Sequence, residues 1–313
     1  MVVDEIRFDG RVAIVTGAGN GIGRAHALAL AKRGASVVVN DLGGQVDGTG
    51  SSRASADAVV EEIRSAGGVA VASYESVATP QGGEAIVRTA LNKFGKLDIL
   101  INNAGILRQR RFTEGTVGEL ELTLATHVHG AVYVTQPAYA AMRAENYGRI
   151  VFTTSTAGLY GLPGLSFYGA AKGAVIGLMN AVAIEGREYG IMSNAISPGA
   201  LTRMATSDAV PDEEFRSVLE AMAKLQTAMS PEFVTPLALF LVSEQCNVTR
   251  SIYSAIAGRF ARNFIGSAKG WQGSIQEPST PEDVARNWDI INELNGFIMP
   301  DDGNGELRFV LEN

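Results

Sequence analysis

Short runs of β-branched and aliphatic residues alternate with longer stretches of helical periodicity along this chain. The runs at 12–16, 36–40, 69–74, 97–102, 149–154 and 192–197 are apolar at nearly every position, and a less clear run lies at 252–257. Continuous apolarity over so few residues predicts strands covered on both faces, because a half-exposed strand would alternate. Between them, 23–33, 55–66, 84–94, 117–146 and 168–189 carry the spacing of helices, the fourth long enough to be broken. Alternation of this kind predicts an α/β fold, a doubly wound parallel sheet of about seven strands with helices on both faces.

Two stretches depart from the pattern. Residues 43–53 (GGQVDGTGSSR) form a loop longer than an ordinary strand–helix connection. It is read either as a loop adapted to a ligand beside the second strand or as a mobile insertion. From residue 273 the chain changes character. Thr280 followed by Pro281, Glu282 and Asp283 reads as a helix start. That helix is expected to run to about residue 294, with Trp288, Ile291 and Leu294 as an apolar stripe that packs near a site rim. The expected organisation is one large domain, 1–272, and a C-terminal extension, 273–313.

Composition narrows the partners. Apolar residues make up 46% and charged residues 19%, enough for a buried core. A net charge of −7 argues against nucleic acid and against an anionic membrane. The single cysteine, Cys246, excludes an internal disulfide and suits a reducing compartment. The N-terminal stretch lacks the pattern of a signal peptide, and no unbroken apolar run reaches the roughly 18 residues of a membrane span. Leu311-Glu312-Asn313 is not a peroxisomal address. A cytoplasmic protein is the expectation. No spacing of Cys, His and acids suggests a metal.

The first strand runs into Thr16-Gly17-Ala18-Gly19-Asn20-Gly21-Ile22-Gly23, which opens the first helix. Gly17 permits a tight turn, Gly21 lets backbone approach a pyrophosphate, and Gly23 lets helix and strand pack closely. The helix N-terminus offers free N–H groups to phosphate. Glycines alone would mark any tight turn, but this placement points to a Rossmann dinucleotide site. Asp41 ends the second strand. A carboxylate there accepts from both ribose hydroxyls and repels a 2′-phosphate, which favours NAD over NADP. The alternative is a strand-end turn residue.

Tyr168 and Lys172 lie four apart and share one helix face. A phenol titrates near pH 10 and is a poor base at neutrality. A nearby ammonium is expected to lower that pKa, so that Tyr168 takes a substrate hydroxyl proton. Ser155, at the end of the fifth strand, is placed to hydrogen-bond the substrate oxygen. Taken alone, a Tyr-x-x-x-Lys pair marks a solvated helix face more often than a site.

Together the glycine loop, Asn102-Asn103-Ala104-Gly105, Ser155, the Tyr168/Lys172 pair and Pro198-Gly199 resemble the signature set of the short-chain dehydrogenases/reductases. The resemblance implies an NAD-dependent enzyme in which Ser155, Tyr168 and Lys172 are catalytic. It implies a cofactor site of Gly17, Asn20, Gly21, Ile22, Gly23, Asp41, Ser76, Val77, Asn103, Ala104, Gly105, Pro198, Gly199 and Thr202, joined by Tyr168 and Lys172. Within that family, Val39-Asn40-Asp41-Leu42-Gly43-Gly44, Asn103-Ala104-Gly105-Ile106-Leu107-Arg108, Ala183-Ile184-Glu185-Gly186-Arg187 and Thr280-Pro281-Glu282 are similar to the dehydrogenase region of the type 2 peroxisomal multifunctional enzymes. That region oxidises (3R)-3-hydroxyacyl-CoA with NAD and acts on some 17β-hydroxysteroids. The sequence contains no counterpart of that family's hydratase and sterol-carrier domains.

Three positions depart from the wider family. His127 stands where it has an asparagine that helps hold a water next to the lysine, and it joins the catalytic candidates, the alternative being a satisfied helix residue. Ser76 stands where an acid is frequent. Thr202 falls one residue early after Pro198-Gly199. His129 is read as an ordinary helix residue. Arg108, Arg110 and Arg111 form a basic patch that suits either the phosphates of an acyl-CoA or a solvated loop. Apolar residues of 173–184 suit the core or, by the resemblance, the interface of a homodimer or homotetramer. The stretch 205–226, with Met204, Val210, Phe215, Val218, Leu219, Met222 and Leu225, is read either as an apolar wall that suits a lipid-like substrate or as an amphipathic helix seated on the core. Competing readings are a 3-oxoacyl carrier-protein or acyl-CoA reductase, a dehydrogenase of another secondary alcohol, and a non-catalytic dinucleotide-binding regulator.

Overall fold

The computed structural model describes residues 4–203, 220 and 224–312. One sheet holds β1 (Val12–Thr16), β2 (Ser36–Asn40), β3 (Val69–Ser73), β4 (Ile99–Asn102), β5 (Gly148–Thr153), β6 (Ile191–Gly199), β7 (Ile252–Ile256) and β8 (Arg259–Asn263). Their order is β3-β2-β1-β4-β5-β6-β7-β8, and β1 to β7 pair in parallel. The sheet thus has one strand more than expected. β8 returns through Ala257 and Gly258, both at positive φ (50° and 78°), in a tight hairpin link that makes it antiparallel. Its sequence, RFARN, is mostly exposed at the sheet edge, so no apolar run announces it.

Helices cover both faces. They are α1 (Gly21–Lys32), α2 (Ala54–Ser65), α3 (Pro80–Phe94), α4 (Val117–Leu124), α5 (Gly130–Ala144), α6 (Thr156–Tyr160), α7 (Ser166–Glu185) and α8 (Thr235–Leu241). The apolar runs explain why. Ala13 and Val15 of β1 join the core beneath α1 and α2, while Val12 and Ile14 join the core beneath α3, α5 and α7. Every residue of β1 is buried, as two-sided covering requires.

The long helix expected over 117–146 is broken. One π-helical turn, Ala125–His129, separates α4 from α5 and carries His127. Such turns insert a residue into a helix and re-aim its side chains. α7 is by length and composition apolar enough to cross a membrane. In this fold Lys172, Val175, Ile176, Met179 and Ala183 on one of its faces are buried, as befits a core helix.

The sheet order reverses between β1 and β4, whose connections leave in opposite directions. Such a switch point opens a crevice at the carboxyl ends of the strands.

The chain divides into two compact units, Met1–Arg262 and Asn263–Asn313, which meet before the 272/273 change in composition. In the second unit, α9 (Pro281–Arg286) begins at Thr280 with a reciprocal capping box to Asp283. The expected single helix is interrupted at Asn287, where α10 (Trp288–Ile291) begins. The Asn287 side chain donates to the Asp283 carbonyl at 2.9 Å, bonding back to the preceding turn. Within this chain Trp288 and Leu294 are exposed, so the anticipated stripe is not buried here. α11 (Gly305–Glu312) follows a pairing of Ser267 with Ile298 and a stacked Phe264–Phe297 pair at 5.2 Å.

Candidate active site

The phosphate loop is built so tightly that its glycines are obligatory. A Cβ on Gly23 would lie 2.3 Å from the Gly17 carbonyl oxygen, and one on Gly17 would lie 2.8 Å from the Ala104 Cα. Gly17 and Gly21 also adopt positive φ, 63° and 54°. Asn103 staples the loop to β4 by donating from Nδ2 to the carbonyls of Thr16 (3.0 Å) and Gly17 (3.1 Å). Buried Thr16 completes the joint, its Oγ1 accepting from the Asn103 and Ala104 N–H groups at 3.0 Å each. Thr16 was not among the expected site residues. Its signal was its place directly before Gly17. At the start of α1, Asn20 makes no side-chain capping bond, so the first N–H groups face the cleft uncapped. This cradle fits a pyrophosphate.

Asp41 has two structural partners. Oδ2 accepts from the Gly19 N–H at 2.7 Å and Oδ1 from the Gly43 N–H at 2.6 Å. The carboxylate is therefore fixed at the end of β2, with lone pairs remaining for ribose hydroxyls. It lines the same cleft as Gly17 and Gly21.

Ser155 lies two residues past the end of β5 and caps α6, its Oγ accepting from the Ala157 N–H at 3.1 Å. Ser155 also stands close enough to the Tyr168 hydroxyl to pull its pKa down. Burial pushes the Tyr168 phenol up to about 12, against the smaller opposing pull of Ser155. The lowered pKa expected from a neighbouring ammonium is thus not found in the chain alone. Lys172 is itself buried, which lowers its pKa to about 7. Its Nζ turns to the Thr153 carbonyl at 2.7 Å, 5.6 Å from the centre of the Tyr168 ring. A buried cation loses hydration and so stabilises a neighbouring phenolate only when it stays charged.

His127 stands edge-on to Tyr168, ring centres 5.2 Å apart. Its Nε2 lies 2.8 Å from the Ile106 carbonyl oxygen, a donor's distance, and 3.2 Å from the Ile106 N–H. Burial first, then the charge of Lys172, drive its pKa down to about 3, against the Ile106 hydrogen bond, so the ring is neutral at physiological pH. The other nitrogen, Nδ1, is buried without a protein partner. His127 and Lys172 both line a pocket of about 10 Å³ with Thr16, Asn102 and Thr153, just large enough for one water.

A single cleft of about 310 Å³ gathers nearly all the expected site residues. Gly17, Asn20, Gly21, Ile22, Asp41, Ser76, Val77, Asn103, Ala104, Gly105, His127, Ser155, Tyr168, Lys172, Pro198 and Thr202 line it. Gly23 and Gly199 are not part of the lining. Gly23 serves helix–strand packing, and Gly199 admits Ile256, which a Cβ would meet at 2.7 Å. Ile106, Leu122 and Thr126 line the cleft without having been anticipated as site residues, and residues 44–46 and 48 of the long loop line it too, in keeping with the first of the two readings of that loop. Of the expected apolar substrate wall, Leu225 is described and half exposed. Met204, Val210, Phe215, Val218, Leu219 and Met222 lie outside the described residues. The arginine patch is engaged at its near side, with Arg108 donating to the Asp47 carbonyl and Arg110 paired with Glu119 at 3.3 Å.

Comparison with known proteins agrees with this geometry. The profile of the short chain dehydrogenases matches residues 11–214. The chain is 42% identical over 302 residues to the peroxisomal multifunctional enzyme type 2 of Mus musculus, covering 94% of this chain and 38% of that enzyme. The solved full-length peroxisomal multifunctional enzyme type 2 of Drosophila melanogaster superposes with a TM-score of 0.78 at 33% identity, over 98% of this chain and 50% of the other. The chain therefore spans half or less of the length of these relatives. A 7α-hydroxysteroid dehydrogenase, solved with NADH and 7-oxo glycochenodeoxycholic acid, superposes with a TM-score of 0.68 at 30% identity, over 80% and 94%. The phosphate cradle, the Ser155–Tyr168–Lys172 group and these matches make the chain a member of the short-chain dehydrogenase/reductase family of oxidoreductases.

Proposed function

We propose that the protein oxidises, with NAD, a secondary hydroxyl on a lipid-like substrate, either a (3R)-3-hydroxyacyl-CoA of fatty-acid or sterol-side-chain type or a 17β-hydroxysteroid. The observation that carries this reading is the meeting of Ser155, Tyr168 and Lys172 with the glycine cradle and Asp41 in one cleft. The NADH-bound steroid dehydrogenase with an oxidised bile-acid conjugate supports the lipid assignment by likeness.

In this reading α1 presents its N-terminal N–H groups to the pyrophosphate, Asp41 accepts from the adenosine ribose, and Lys172 holds the nicotinamide ribose. Bound NAD supplies the hydride acceptor and a positive charge beside the phenol. Ser155 orients the substrate hydroxyl. Tyr168 takes its proton, and the Lys172 ammonium stabilises the resulting phenolate charge. Neutral His127 offers Nδ1 as an acceptor to a water beside Lys172.

Asp41 opposes the reading as an NADPH-linked 3-oxoacyl reductase, since a 2′-phosphate would meet a fixed carboxylate. We also propose a homo-oligomer, supported by the exposed small residues Ala170, Ala174, Gly177 and Ala181 along α7. An NAD-reduction assay across (3R)-hydroxyacyl-CoAs, sterol side-chain CoA thioesters and 17β-hydroxysteroids tests the assignment. Activity confined to short polar alcohols would reject it.

A further inference from the structure

Arg108, Arg110 and Arg111 take no part in the proposed reaction. Residues 106–116 hold these three cations against one acid, Glu114, in a chain of net charge −7. The segment that carries them is a strap fixed along both edges. At its start Ile106 lines the cleft and is held by His127. On one edge the Leu107 N–H donates to the Val46 carbonyl at 2.9 Å and Arg108 Nε to the Asp47 carbonyl at 2.8 Å, which docks the loop 42–52. On the other edge the Arg110 N–H donates to the Gly164 carbonyl at 2.9 Å, just ahead of α7 and Tyr168.

Two acids beside the strap are already committed. Glu119 serves the Thr116 capping box and pairs with Arg110. The Asp47 carboxylate accepts from the Thr49 N–H and hydroxyl. Arg108 bonds through Nε, which leaves the two terminal nitrogens of its fork for a ligand. Beside these arginines Phe112 is 71% exposed, its ring edge-on to Phe167 with centres 6.5 Å apart. Phe167 directly precedes Tyr168 in α7. Guanidinium forks pair with phosphate, and an exposed aromatic ring offers a base a face to stack on. From Ile106 to Arg111 the chain can span at most about 17 Å, a reach that a pantetheine arm matches when its thioester end lies in the cleft. We infer that Arg108, Arg111 and Phe112 form a subsite for the 3′-phosphoadenosine diphosphate end of an acyl-CoA. The inference rests on the acyl-CoA form of the proposed function and deepens it, since a hydroxysteroid brings no phosphate to this patch.

The test compares a (3R)-3-hydroxyacyl-CoA with the N-acetylcysteamine thioester of the same acyl chain, which ends short of the nucleotide, at saturating NAD. Arg111→Ala and Phe112→Ala keep the backbone bonds that fix the strap, and thermal melting checks that both variants fold. KM for the CoA thioester should rise about tenfold in Arg111→Ala and roughly fivefold or more in Phe112→Ala. The kcat on the CoA thioester and both constants for the N-acetylcysteamine thioester should stay unchanged, because the lost contacts are remote from the reacting carbon. Added salt should raise KM for the CoA thioester alone. Equal KM values for the two thioesters in the unmodified chain, or equal losses for both in the variants, would overturn the subsite and leave hydroxyacyl oxidation standing. Losses confined to an acyl carrier-protein thioester would also overturn it, marking the patch as a docking face for an acidic protein. Oxidation of neither thioester by the unmodified chain would instead overturn the acyl-CoA reading itself.

Discussion

Lys172 keeps its ammonium 5.6 Å from the centre of the Tyr168 ring and spends one hydrogen bond on the Thr153 carbonyl. Burial raises the phenol to about 12 and lowers the amine to about 7, so the two groups oppose ionisation in the chain alone. Acceptor groups on a bound ligand would favour the ammonium, because two Lys172 protons remain after the Thr153 bond.

In the proposed mechanism Tyr168→Phe removes only the proton acceptor. Turnover should fall by roughly 10²–10⁴-fold while NAD binding stays within a factor of about two. Lys172→Ala should weaken both, since in the proposed mechanism the lysine serves ribose and phenol. Steady-state kinetics and calorimetric titration check the split, and near-normal kcat in Tyr168→Phe would remove it from the mechanism.

Two buried histidines should make the fold acid-sensitive. Burial lowers His26 to about 4 and His127 to about 3, from an unfolded value of 6.5. The folded chain keeps both neutral while the unfolded chain protonates them. Stability is therefore full above pH 6.5 and is lost as pH falls from 6.5 toward 4 and 3, at up to about 1.4 kcal/mol per pH unit per group. His127→Asn should flatten that slope in urea melts between pH 6.5 and 4.5. An unchanged slope would contradict a neutral buried imidazole.

Gly23→Ala would place a methyl 2.3 Å from the Gly17 carbonyl oxygen. Overpacking against backbone should cost about 1–3 kcal/mol. Calorimetric melting should show a lower Tm, and cofactor affinity should fall with it. A Tm equal to that of the unmodified chain would show that the loop yields.

The exposed small-residue stripe of α7 should be an interface between copies. Ala174→Glu would bury a charge there and should shift light-scattering mass toward the monomer. A monomeric unmodified chain would exclude the interface.

Much of this site was legible in the sequence because its determinants are local. Gly17, Gly21 and Gly23 are required by backbone geometry, and Tyr168 and Lys172 by helical spacing, so each leaves a residue-type signature. β8 left none, since its exposed edge residues are not continuously apolar. The docking of loop 42–52 left none either, because Val46 and Asp47 bind through their carbonyls, which every residue carries. The position of His127 depends on the π-helical turn at Ala125–His129, a register shift invisible to periodicity. The raised Tyr168 pKa depends on burial by distant segments, whereas sequence spacing revealed only the nearby ammonium.

The most direct test follows NADH formation with (3R)- and (3S)-3-hydroxyacyl-CoA of matched chain length, using NAD and NADP in parallel. In the proposed mechanism Ser155 and Tyr168 fix the substrate oxygen on one side of the cleft, so one isomer alone should present its C–H for transfer. The expected result is oxidation of the 3R isomer with NAD, a kcat/KM that rises with chain length, and little reaction with the 3S isomer or with NADP. Preference for the 3S isomer, or equal efficiency with NADP, would contradict it.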